Sequence, residues 1–503
     1  MRMTLRQTFF IGFMVAFGFL VLIAMIDPTQ NNAQDETENK DEKIDKKEIE
    51  ESLAEILKTE LLDGAITSVH VRKASDASVV FDHLGTMNLH PASNMKIITG
   101  AVALEVLGPE YEFSTDFLTD GSIENGILDG NLYIQGKGDP TLTAEELTEI
   151  ASQLKAEGIE KITGDVIADD SWYDDVRYSQ DLNWSDEYNY TGSAISALSL
   201  SPNEDYDAGT VQIYVGGDRP IGEAPTITLN PENDYVKIEN NATVASGSEV
   251  EGITIDREHG TNKIIIEGSI NENQHIAFWR SVWEPTNYTL HVFKQILKDE
   301  GIEMDGEAKV GVTNEDATVI LTRNSPPLAD LMMPFMKNSN NTLGEIFVKE
   351  MGKLIHDEGS WEQGLEVVNT TLEEAFELDM SQILLRDGSG MSHKTLIPAD
   401  KLTKLLYEAQ EKEWFPIFEA SQPVAGEDAK EIGGTLAHRM KEEPLKGNVK
   451  AKTGSLTGVN TLSGFFTGAS GEEYIFSVMI NNYIEGYIPR VVDEIMLLLV
   501  EEL

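Results

Sequence analysis

The stretch that most constrains this chain is HPASNMKIITGAVALEVLG, residues 90–108. Ser93 follows a Pro-Ala turn, and three residues later a lysine, Lys96, stands among Met95, Ile97, Ile98, Ala101, Val102, Ala103 and Leu104. The apolar spacing predicts a helix reaching Leu107, stopped by Gly108 and Pro109. A helix this apolar runs into a core and carries its lysine with it. A residue three positions after a serine lies on the same helical face. If that face lines a cleft, burial pushes the lysine pKa down, and the amine can take the serine proton. A serine at a helix start also lies near backbone N–H groups able to stabilise an oxyanion. The competing reading is a lysine that snorkels from a surface helix.

S-x-x-K alone decides little. SQLK recurs at 152–155, on a charged helix expected over 143–157, and is read as a chance match. Weight comes from two later segments. KNSNNTLGE (337–345) supplies Ser339 and Asn341 as an S-x-N, and VKAKTGSLTGVNTLSGF (449–465) supplies Lys452, Thr453 and Gly454 before a strand pattern. S-x-N recurs as SPN at 201–203, whereas K-T-G occurs once. S-x-x-K, S-x-N and K-T-G, in this order, are the established signature of serine β-lactamases and penicillin-binding proteins.

Composition excludes other chemistry. The 503 residues carry a formal charge of −49, which repels nucleic acid and anionic lipid, so no nucleic-acid partner is expected. The chain has no cysteine, which removes disulfides and thiolate nucleophiles. Nine histidines show no HxH or HExxH spacing. No metal and no cofactor is expected.

The N-terminus differs in kind. Arg2 and Arg6 precede FFIGFMVAFGFLVLIAMI at 9–26, which reads as a secretory signal or membrane anchor over 1–29. No A-x-A cleavage site follows, which favours an anchor. The arginines then stay inside, the body is exported, and this segment is the expected membrane contact. The polar, charged residues 30–48 read as a linker. Beyond it, Ile49, Leu53, Ile56, Leu57 and Leu61 recur at helical spacing, and 68–83 reads as a hairpin. From 111 to 320, short β-like runs such as TVQIYVGG and NKIIIEGSI alternate with Gly, Asn and Asp turns, interrupted by one helix at 143–157. From 326 the chain is helical, and it ends in two strands and a helix, IPRVVDEIMLLLVEEL.

The resemblance goes further than three motifs. HPASNMK, GKGDPTL (136–142), SALSL (196–200), RSVWEP (280–285), SPPLADLM (325–332), DGSGMS (387–392), PVAGED (423–428) and AKTGSLTGVNTLSGF stand in the order of one family. From about residue 66 to 500 the chain resembles the D-alanyl-D-alanine carboxypeptidase/endopeptidases of peptidase family S13, the class C low-molecular-mass penicillin-binding proteins. The resemblance implies an α/β, serine β-lactamase/transpeptidase-like catalytic domain over 49–110 and 321–503. The β-rich stretch 111–320 becomes an insertion between the first two motifs, expected as two small domains.

The implied activity is acyl transfer on D-Ala-D-Ala stem peptides of bacterial peptidoglycan, in the cell envelope, with β-lactams as substrate mimics. Ser93 attacks and Lys96 takes its proton. The N–H groups of Ser93 and Ser455 form the oxyanion hole, and Ser339 relays a proton to the leaving amine. Asn341 holds the substrate amide, and Lys452, Thr453 and Ser455 read the terminal carboxylate beside Gly454. Lys337 either matches the family or is a surface charge. Asp387, Ser389 and Gly390 are read as a supporting turn, and Asp139 as a turn cap. A β-lactamase, or a sensor acylated without turnover, are the rival functions.

There are two departures, the first of them small. The middle residue of the second motif is Asn340, where the family usually has Asp. His393 stands where relatives often carry an arginine that pairs with the side-chain carboxylate of diaminopimelate. In the family the insertion also helps recognise the free amine of that side chain, and NWSDEYNY (183–190) offers Trp184, Asp186, Glu187 and Tyr190 for it. The alternative for that segment is an acidic turn on an acidic protein.

Overall fold

Residues 66–83 and 450–481 meet in one antiparallel sheet. Strands β1 (Ile66–Lys73), β2 (Val79–His83), β3 (Lys450–Leu456), β4 (Val459–Thr467) and β5 (Glu473–Asn481) lie in the order β3-β4-β5-β1-β2. The computed structural model describes residues 47–503. The expected anchor over 1–29, and the linker up to residue 46, lie outside the described residues. Among the described residues no helix is long and apolar enough to cross a membrane.

The sheet is covered on both faces. On β5, Ile475 and Met479 join one apolar cluster, while Tyr474, Phe476, Val478 and Ile480 join another on the opposite side. This is the period-two alternation of a strand, with both faces apolar. The second cluster is closed by the helix Pro489–Glu502 through Val491, Val492, Ile495, Met496 and Leu499. The opening helix, which ends at residue 56, adds Ile49 and Leu53. The helical spacing overreaches at Leu61. The chain turns after residue 58, Leu61 is 40% exposed, and Leu62, in the 3-10 turn Glu60–Leu62, is the buried residue instead.

The first cluster surrounds α1 (Met95–Val106), with Ile97, Ala101 and Val102 fully buried. Helices α2 (Leu328–Lys337) and α3 (Asn341–His356) pack on it through Leu331, Met332, Phe335, Phe347, Val348 and Met351. Full burial of each such side chain is worth about 1.5–3 kcal/mol. α1 is therefore the central helix, and nothing short of the core can receive Lys96.

Between Ser114 and Asn324 the chain builds four further sheets. One has the order Ala308–Val310, Val166–Asp169, Leu132–Lys137, Ser114–Thr119 and Thr318–Asn324. Another is centred on Lys263–Asn271, beside a three-stranded sheet centred on Thr210–Gly216. The expected helix is Ala144–Ala156, started by a reciprocal cap between Thr143 and Glu146. A second helix, Pro285–Asp299, was not anticipated. It buries Tyr288, Val292, Phe293 and Leu297 against the same cluster as Leu147, Ile150 and Leu154. Pro285 at its first turn and that spacing were readable in the sequence.

Candidate active site

Ser93 sits in the 3-10 turn Ala92–Asn94, which leads into α1. Ala92 holds a left-handed φ of 46°, a conformation that costs a non-glycine residue about 1–3 kcal/mol. The turn is fixed from two sides. Gly390, with a φ of +87°, approaches so closely that a Cβ there would lie 1.9 Å from the Ala92 carbonyl oxygen. On the other side Asn94 donates to the Lys452 carbonyl at 2.6 Å and accepts from Ser463 Oγ at 2.7 Å. Asn94 is fully buried and welds the nucleophile turn to β3.

Lys96 has no exposed surface. Its Nζ donates to Asn341 Oδ1 at 2.6 Å and to the Ser389 carbonyl at 2.9 Å, and lies 3.1 Å from Ser93 Oγ. Burial pushes its pKa down to about 7, against the opposing pull of Glu345 and Asp387. A neutral amine has two N–H groups and one lone pair. The two acceptors take the N–H groups, which leaves the lone pair for the serine proton.

The second and third motifs close the opposite wall. Ser339 adopts a left-handed φ of 57° between α2 and α3. Lys452, fully buried on β3, donates to Ser339 Oγ and to the Thr453 carbonyl, both at 2.8 Å. Burial lowers its pKa well below the ordinary lysine value, and the nearby Lys96 adds to the effect. Asn341 uses both ends of its amide: Oδ1 accepts from Lys96, and Nδ2 donates to the Thr191 carbonyl at 2.7 Å. Thr453 Oγ1 donates to Thr435 Oγ1 at 2.8 Å. Gly454 has no room for a side chain, since a Cβ would lie 2.8 Å from Pro91 O and 3.0 Å from Ser93 N.

Lys337 is no surface charge. It is 3% exposed and donates to the carbonyls of Ile432, at 2.8 Å, and Gln422. Burial, with Lys450 nearby, lowers its pKa to about 8. The DGSG turn is held by carboxylates. Glu345 accepts from the N–H groups of Gly388 and Ser389, each at 2.9 Å, and Asp387 accepts from Ser392 N at 2.6 Å. Burial and Glu345 push the Asp387 carboxyl upward. Asp139 accepts from Thr141 N at 2.9 Å and pairs with Arg323, away from the cleft.

A cavity of about 660 Å³ opens in front of Ser93. Ser339, Asn341, Thr453 and Ser455 line its base, and Asp186, Tyr190 and His393 stand on its wall. The structure does not bring all of 184–187 there. Trp184 is 74% exposed and packs edge-on to His259 at 6.1 Å. Glu187 turns inward: it is 7% exposed, and its carboxylate meets His259 Nδ1 at 2.8 Å and Arg257 at 3.4 Å. Successive side chains of this turn point different ways, so one sequence segment cannot present all four groups. The half-buried ring of His393 lies 5.9 Å from that of His90, and burial and His90 lower its pKa.

The second S-x-x-K falls elsewhere. Ser152 and Lys155 lie on the helix Ala144–Ala156 and bond Glu300, and Ser201 is buried against the Pro140 carbonyl. The sequence reading missed Asn94, Thr191, Glu345 and Thr435. Asn94, inside the first motif, and Glu345, just past the second, left a local signal; Thr191 and Thr435 did not.

A serine 3.1 Å from a buried lysine whose pKa burial lowers is the arrangement of the penicillin-recognising serine enzymes. The chain belongs to the D-Ala-D-Ala carboxypeptidase 3 (S13) family, whose model matches residues 49–502. It is 35% identical over 452 residues to a D-alanyl-D-alanine carboxypeptidase of Actinomadura sp. (strain R39), covering 89% of this chain and 83% of that protein. It is 28% identical to D-alanyl-D-alanine carboxypeptidase DacB of Haemophilus influenzae, over 86% of this chain and 88% of that one. The crystal structure of penicillin binding protein 4 (dacB) from Haemophilus influenzae superposes with a TM-score of 0.77 at 25% identity, over 88% of this chain and 98% of that one. A second structure of that protein, complexed with a β-lactam, gives a TM-score of 0.71.

Proposed function

We propose that this chain is a serine D-alanyl-D-alanine carboxypeptidase/endopeptidase that acts on peptidoglycan stem peptides in the bacterial cell envelope and is acylated by penicillin. The observation that carries the reading is the Lys96 amine: buried, poised near pH 7, both N–H groups engaged, 3.1 Å from Ser93 Oγ. Family membership across 49–502 agrees with it.

Ser93 Oγ attacks the carbonyl of the D-Ala-D-Ala bond as its proton passes to Lys96. The tetrahedral oxyanion is held by the N–H groups of Ser93 and Ser455; one such donor is worth about 3–4 kcal/mol of barrier. The proton that Lys96 took from Ser93 passes by way of Ser339 to the leaving amine, and Lys452 orients Ser339 Oγ from 2.8 Å. Asn341 spends one amide N–H on Thr191 and has one left for the substrate backbone. Ser455, and Thr453 once its O–H turns from Thr435, offer hydroxyls to the terminal carboxylate beside Lys452. Water then releases the acyl group, and a β-lactam stalls at that step. On the outer wall, Asp186 and Tyr190 meet the side-chain amine of the stem peptide, with Trp184 at the rim. His393 meets the side-chain carboxylate. Glu187 supports the turn through Arg257 and takes no part in that pocket.

The test is to incubate residues 48–503 with a D-Ala-D-Ala peptide and with penicillin. Many turnovers of free D-Ala with slow penicillin release are expected. Fast penicillin turnover would mark a β-lactamase, and one acylation without D-Ala release a sensor. Ser93→Ala should abolish labelling and Ser152→Ala should not. Labelling at Ser152 would overturn the assignment.

A further inference from the structure

The second motif is not built by the catalytic domain alone. Each of residues 338, 340, 341 and 342 is bonded to one segment of the insertion, 191–207. Asn338 donates to Asp205 Oδ1 at 3.2 Å, and Asn341 to the Thr191 carbonyl at 2.7 Å. Thr342 Oγ1 shares a hydrogen bond with Ser193 Oγ at 2.8 Å. Ser339 faces the other way, towards Lys452.

The centre of this seam is Asn340, 4% exposed, the residue that departs from the usual aspartate. Its Oδ1 accepts from Leu343 N at 2.9 Å and caps α3. Its Nδ2 donates to the Asp205 carbonyl at 2.9 Å and to Asp207 Oδ1 at 3.1 Å. An aspartate at 340 would still cap the helix. It would lose both donations and set a second carboxylate 3.1 Å from Asp207, with water excluded. The amide at 340 and the carboxyl at 207 are therefore a matched pair. Asp207 is itself 9% exposed, and its main chain is held by Thr210 Oγ1, which donates to its carbonyl at 2.6 Å.

We infer that Asp207, on the insertion, is a positioning residue for catalysis. It holds Asn340, and through that turn it fixes the left-handed Ser339 and the Asn341 amide on either side. The inference rests on the acyl-transfer reading of Ser93 and Lys96. It assigns the insertion a part in the reaction itself, because neither flank of Ser339 keeps its place without 191–207.

Asp207 faces Asn340 and Lys430 from the catalytic side, and Asp205 and Tyr190 from its own. Burial, then Asp205, pushes its carboxyl up to about 7. An oxygen acceptor is present in both protonation states, so the wild-type pair survives that titration.

The experiment measures acylation by a fluorescent penicillin at pH 6 and pH 8, with thermal midpoints, in four variants. Asp207→Ala should lower the acylation rate about tenfold or more, the scale of one buried charged hydrogen bond. Asp207→Asn keeps an acceptor and should stay near the wild-type rate. Asn340→Asp should be slow at pH 8. Relative to wild type it should recover at pH 6, where the two carboxyls share a proton. Combining Asp207→Asn with Asn340→Asp should restore the rate at pH 8. Normal acylation in Asp207→Ala and in Asn340→Asp, whatever their melting points, overturns the positioning role alone. A wild-type protein that penicillin does not acylate overturns the carboxypeptidase reading and this inference with it.

Discussion

Gly454→Ala tests whether the distance between β3 and the nucleophile turn sets the rate. The added Cβ would lie 2.2 Å from Thr461 Oγ1, 2.8 Å from Pro91 O and 3.0 Å from Ser93 N. The first neighbour is a side chain that can rotate, at the loss of its 2.8 Å hydrogen bond to Pro91 O. The other two are backbone atoms of the turn, and that turn is pinned by Asn94 to Lys452 and Ser463. Ordinary contact needs roughly 3.5–4 Å, so the strand must retreat by several tenths of an ångström. Overpacking of this kind costs about 1–3 kcal/mol of stability. Retreat also carries Ser455 N–H away from the oxyanion. Losing part of a donor worth about 3–4 kcal/mol slows acylation roughly 10- to 100-fold. The assay is stopped-flow acylation by a fluorescent penicillin, with a calorimetric melting point beside it. Adding Thr461→Ala removes only the nearest clash, so it should recover part of the stability without recovering the rate. An acylation rate within about threefold of wild type in Gly454→Ala would refute the reasoning, because that barrier change is under 1 kcal/mol.

Three further outcomes are expected. The Lys96 pKa is lowered to about 7, so the neutral base is lost below that pH and kcat/KM should rise as pH passes up through about 7. Lys96→Ala should slow acylation about 100-fold or more and erase that inflection, and a near-wild-type rate would remove the proton-acceptor role. The His393 pKa is lowered, so its ring is neutral at pH 8 and offers one donor to a carboxylate. His393→Arg should raise the preference for peptides with the free diaminopimelate carboxylate over the amidated form by about tenfold, measured as a kcat/KM ratio at pH 8. A strong, pH-independent preference in the wild type would refute it.

Some of this molecule was written locally. Ser93 and Lys96 share a face because a helix repeats every 3.6 residues, and an apolar helix has to be central. The helix at Ala144–Ala156 announced its start through Thr143 and Glu146. The strands after Lys452 followed from alternation. Pro285–Asp299 was equally local but was obscured by the β-like runs on either side.

What only the tertiary structure decided lies between residues far apart in the chain. Lys96 can turn a lone pair to Ser93 because Asn341 and Ser389 take two N–H groups. Lys337 stood open between a family match and a surface charge until Gln422 and Ile432 turned their carbonyls to it. Glu187 looked like part of a binding pocket until Arg257 and His259 claimed it. Asn340 looked like a minor departure until Asp207 stood beside it. A sequence determines by itself what repeats over a few residues, because propensity, capping and periodicity act over one or two turns of chain. Burial, pKa and the partner of each polar group depend on contacts made across hundreds of residues. Those contacts exist only once distant segments of the chain have packed together.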